Sequence, residues 1–92
     1  MKPCKARDIE AALLKKGFRV KKSHHKIFYL AINGKITGVH TFLSHGIRDC
    51  NADLLTKMRG QLHLSGKELD DLIRCTLSGE EYLKLLEERK IL

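Results

Sequence analysis

The chain lacks most of what marks a membrane, secreted or metal-bound protein. None of its apolar runs is long enough to span a bilayer, and its first residues carry no signal-peptide pattern. The three cysteines, Cys4, Cys50 and Cys75, are odd in number and widely spaced. That fits reduced thiols better than a disulfide framework, and these readings together predict a cytoplasmic protein. Neither Cys-x-x-Cys nor His-Glu-x-x-His occurs, and no internal repeat, linker or low-complexity run divides the chain. Acidic residues are scarce as well, 11 against 18 Lys and Arg, for a net charge of +7 at pH 7. Ninety-two residues make one domain, 1–92, with a single modest core. On a domain of that size the excess charge predicts a polyanionic partner, usually nucleic acid. The plainer alternative is a soluble basic domain with no such partner.

What is present is organised around residues 23–42, which read as a β-hairpin. Asn33-Gly34 is a strong type I′ turn signal, because both central residues of that turn need positive φ. Both flanks are rich in β-branched and aromatic residues. A two-residue loop pairs Ile32 with Lys35. It then sets Phe28 opposite Val39, Ile27 opposite His40 and His25 opposite Phe42. Alternation puts Phe28, Leu30, Ile32 and Val39 on one face, and His25, Ile27, Tyr29, Ile36 and His40 on the other.

Helical periodicity flanks the hairpin. Ala6, Ile9, Ala12, Leu13 and Lys16 predict a helix over 5–16, opened by Pro3 and ended by Gly17. Asn51 is a plausible N-cap for a helix over 52–62, with Leu54, Leu55, Met58 and Leu62 as its apolar stripe, broken by Gly60. Ser65 with Glu68, and Ser78 with Glu81, form capping boxes for helices over 66–74 and 79–89. The segment 43–48 reads as a loop or a short third strand. The expected class is therefore α+β: an N-terminal helix, an antiparallel hairpin or three-stranded sheet, then C-terminal helices, with one sheet face covered and the other open. Basic residues crowd the first half and acidic ones the last third, so the hairpin half is expected to meet the anion.

Leu14-Lys15-Lys16-Gly17-Phe18, then Ser23-His24-His25, a short hairpin, and Gln61-Leu62-His63-Leu64-Ser65 together resemble the HicA family of toxin mRNA interferases. The likeness runs from Ile9 to Ser65. Lys22 stands where the family has glycine before Ser-His, and a helical extension over 66–92 goes beyond the family core at 5–65. The resemblance implies a fold like a small double-stranded-RNA-binding domain. It also implies endoribonuclease activity on single-stranded mRNA, a single functional histidine at His24, and inhibition by a HicB-like antitoxin protein.

The chemistry available to such residues is metal-independent transesterification. RNA supplies its own nucleophile, the 2′-OH. The protein must accept that proton, protonate the leaving 5′-oxygen and neutralise the phosphate. Histidine suits either proton role near neutrality. His24 and the adjacent His25 are the candidates, although both also fit as ordinary polar strand residues. Arg19, Lys21, Lys22, Ser23, Lys26, Lys35 and His40 are the candidate RNA contacts, and Tyr29 and Phe42 could stack bases. His45-Gly46 reads as loop geometry. His24, His25, His40 and His45 could converge on a metal, but no acidic partner lies in the hairpin, so no metal or cofactor is expected. The competing class is a non-catalytic RNA-binding module, or an interaction protein that uses its acidic C-terminal helices.

Overall fold

The computed structural model describes residues 4–74 and 76–92, so Pro3 and Cys75 lie outside the described residues. The elements run β1 (Cys4–Lys5), α1 (Ala6–Lys15), β2 (Phe18–Lys22), β3 (Lys26–Ile32), β4 (Lys35–Leu43), β5 (Asp49–Cys50), α2 (Ala52–Gln61), α3 (Gly66–Ile73) and α4 (Gly79–Glu88). β2, β3 and β4 form an antiparallel sheet in that order, and β1 pairs with β5 in a separate two-stranded ladder.

The local signals act as expected at most helix ends. Asn51 accepts from the Leu54 amide, and both capping boxes, Ser65 with Glu68 and Ser78 with Glu81, are complete. α1 ends at Gly17, whose φ of +99° suits a residue without a Cβ. Gly60 does not interrupt α2, which continues through it to Gln61. The helices bury Ala6, Ile9, Ala12 and Leu13 from α1, Leu55 and Met58 from α2, Leu69 and Leu72 from α3, and Tyr82 and Leu86 from α4. All of these but Ala12 meet Phe18, Phe28, Leu30, Val39 and Leu43 from the sheet in one hydrophobic cluster. Tyr82 stacks on Phe18 with ring centroids 6.0 Å apart, so α4 belongs to the core. No helix among the described residues is long and apolar enough to cross a membrane.

Two expectations about the sheet need correction. The third strand is β2, before the hairpin, and not part of 43–48, which leaves β4 as a loop at Ser44. β2 has the alternation of a strand, Phe18 and Val20 against Arg19 and Lys21, but only Phe18 is deeply buried. It is an edge strand, and its charges discourage pairing with another chain. The second correction concerns register. Ile32↔Lys35 and Ala31↔Ile36 pair as predicted, but beyond them Tyr29 faces His40, Phe28 faces Thr41 and Ile27 faces Phe42. Phe28 is therefore not opposite Val39, Ile27 not opposite His40, and His25 not opposite Phe42. The cause is a bulge at Thr37 and Gly38. Gly38 takes φ +89°, while the Thr37 hydroxyl donates to the Leu30 carbonyl and accepts from the Val39 amide. Two residues are absorbed, so the facing of every side chain survives.

Candidate nucleic-acid interface and histidine turn

The sheet face opposite the core carries Arg19 and Lys21 from β2, Ile27 and Tyr29 from β3, and Ile36, His40 and Phe42 from β4. Ile36 is 69% exposed and Phe42 36%. Arg19, Tyr29 and His40 lie abreast across the three strands, and Lys21, Ile27 and Phe42 form the next row. The His40 ring meets Phe42 edge-on at 5.1 Å. Its Nδ1 lies 2.7 Å from the Gly38 carbonyl oxygen. A carbonyl only accepts, so Nδ1 carries the proton and a neutral ring keeps its Nε2 lone pair.

His24 and His25 sit in the bend that joins β2 to β3, and both are exposed. The bend is closed by the Ser23 amide donating to the His25 carbonyl at 3.0 Å. It is held from outside by His45, whose Nε2 lies 2.7 Å from the Ser23 carbonyl oxygen and must donate to it. His45 thus fastens the loop after β4 to the histidine turn, which gives the loop-geometry reading a concrete form. Among the described residues neither the His24 nor the His25 imidazole has a hydrogen-bonding partner.

The candidate phosphate contacts are divided among three places. Arg19, Lys21 and His40 share the open face. Lys22 and Lys26 pair beside the turn but lie on the helix side of the sheet. There the Lys26 ammonium donates to Glu10 of α1 at 2.9 Å, so its charge is already engaged. Lys35 stands by the Asn33-Gly34 turn, at the opposite end of β3 from Ser23 and the two histidines.

Three features escaped the sequence reading. His25 lines a cleft of about 300 Å³ together with Phe42, Ser44, Leu54, Lys57 and Gln61. Thr41, fully buried, donates its hydroxyl to the Gln61 side-chain oxygen at 2.6 Å and so ties β4 to α2. A larger cleft of about 450 Å³ is lined by Lys5, Arg7, Ile47, Arg48 and Asp49, three cations against one carboxylate. Each is assembled from segments distant in sequence, and only the +7 charge hinted at the last. Cys4 and Cys50 face each other across the β1–β5 ladder as thiols, and burial pushes both up from the ordinary thiol value. Among the described residues no three His, Cys, Asp or Glu side chains are grouped to hold a metal ion.

No family model, curated protein or solved structure matches the chain.

Proposed function

We propose that this protein is an endoribonuclease that cleaves single-stranded mRNA by metal-independent transesterification, and that it is the toxin of a HicA-type pair held in check by a HicB-like antitoxin. The observation that carries the reading is the turn at Ser23–His25. It presents two exposed imidazoles where a cationic open sheet face meets a cleft that His25 lines. The order α1, β2, β3, β4, α2 also supports a double-stranded-RNA-binding-domain-like arrangement, with both helices on one side of the sheet.

In this reading the RNA backbone crosses the open face, its phosphates near Arg19 and Lys21 and its bases against Tyr29 and Phe42. His24 takes the proton from the 2′-OH as that oxygen attacks phosphorus. The bond from phosphorus to the 5′-oxygen breaks, and the leaving oxygen is protonated, with His25 the neighbouring candidate for that role. The products are a 2′,3′-cyclic phosphate and a 5′-hydroxyl. A positioned general acid or base contributes about 10²–10⁴-fold in rate, so His24→Ala should lose at least the lower figure while still binding RNA.

A second reading, an RNA-binding module without catalysis, is favoured by one observation. Among the described residues neither imidazole is oriented by a hydrogen bond, as a proton-transfer histidine generally is. One experiment separates the two. Purified protein in excess chelator should cleave RNA, leave an all-DNA strand intact and yield cyclic phosphate ends. If a His24→Ala, His25→Ala double variant cleaves like the wild type, only binding remains.

A further inference from the structure

The cleft beside His25 has a chemical bias that the proposed cleavage does not require. One wall is a single stripe of α2, Leu54, Lys57 and Gln61, spaced three and four residues apart and so on one helix face. The other wall is Phe42 and Ser44. The Phe42 ring, perpendicular to that of His40 at 5.1 Å, lines the cleft, and an aromatic ring is the kind of surface on which a base stacks. A volume of about 300 Å³ admits one nucleobase.

The polar groups here are not neutral in their preference. Lys57 is an ammonium and only donates. Gln61 could present either end of its amide, but the buried Thr41 hydroxyl decides. The 2.6 Å contact is short for N–H···O and ordinary for O–H···O, so Thr41 donates to the Gln61 oxygen. The Gln61 amino group then remains to serve the cleft, and it too only donates. Ser44 and His25 can adapt to either kind of partner; Lys57 and Gln61 cannot.

We propose that this cleft binds one base of a single-stranded RNA and selects oxo bases, uracil and guanine, over amino bases, cytosine and adenine, with Gln61 as the discriminating residue. Uracil and guanine carry a carbonyl oxygen where cytosine and adenine carry an amino group. A donor-lined cleft satisfies the first pair and opposes donor to donor with the second. The inference rests on the RNA reading above but not on cleavage.

The test uses 2′-O-methyl oligouridylate and oligocytidylate of equal length, which cannot be cut, titrated against the full chain by fluorescence anisotropy. The wild type should prefer oligouridylate by about tenfold. Gln61→Glu keeps an oxygen for Thr41 but turns the exposed donor into an acceptor, so the preference should pass to oligocytidylate. Gln61→Leu should erase the preference and keep the shared electrostatic affinity. Equal wild-type affinity for the two oligomers, falling steeply with salt, overturns the base site and leaves RNA binding standing. Absence of binding to either overturns both. An oligouridylate preference that survives in both folded variants, checked by thermal melting, removes Gln61 from the role.

Discussion

Tyr82→Phe isolates one atom that holds the C-terminal helix to the rest of the molecule. Tyr82 is fully buried, its ring lies on Phe18, and its hydroxyl donates at 2.9 Å to the carbonyl of Leu62 at the end of α2. Phenylalanine keeps the stacking and loses the donor. The cost should be that of a buried carbonyl deprived of its partner, about 1–3 kcal/mol. Truncation to alanine would add about 3–5 kcal/mol for the lost ring and threaten a fold whose whole stability is of order 5–15 kcal/mol, so phenylalanine is the informative change. Urea denaturation at pH 7 should show a lower midpoint with an unchanged slope. The pH dependence is the sharper check. Burial pushes the Tyr82 phenol up from its ordinary value of 10.0, so the unfolded chain ionises first. The stability contributed by the neutral phenol is complete below about pH 10 and is lost as pH rises toward the folded value. The Tyr82→Phe variant has no such group, so the gap between the two proteins should narrow above pH 10. Equal stability at pH 7, or a gap that does not change in alkali, would refute the role given to this hydroxyl.

Two further outcomes follow from the division of the basic residues. Arg19→Ala with Lys21→Ala should weaken RNA binding and make the plot of log K against log salt shallower by about 1.4, since each single-strand phosphate contact contributes about 0.7 to the slope; filter binding across a salt series measures it. Lys26→Ala should leave RNA affinity near wild type and cost no more than about 1 kcal/mol of stability, because that ammonium already serves Glu10 in a partly exposed pair; the same binding series beside a thermal melt decides it.

The sequence announced the elements whose causes are local. Asn51, Ser65 and Ser78 cap helices through their own side chains, and Gly17 ends α1 by its backbone freedom, so each was readable within a few residues. The two faces of the hairpin were readable for a similar reason, since alternation alone assigns them. The register past Ala31 was not, because it depends on how Thr37 and Gly38 fold against Leu30. β2 was hidden by its own composition: an edge strand with one charged face looks like a basic loop when its partner is unknown. The histidine turn was visible as Ser-His-His, but the Glu10 partner of Lys26 was not. Nor was the cleft that joins His25 to Lys57 and Gln61, because it exists only once α2 packs beside β4.

The bulge at Thr37 and Gly38 also limits how the length of this hairpin can change. Sheet facing is a matter of parity, and two absorbed residues leave parity intact. Deleting both would shorten β4 yet still send Val39, Thr41 and Leu43 inward. Deleting either one alone leaves one extra residue, which keeps this facing when it is taken up as a one-residue bulge; without that bulge the three side chains turn toward solvent and His40 and Phe42 toward the helices. At this position the loss of two residues restores a regular ladder, whereas the loss of one calls for a different bulge in place of the present one.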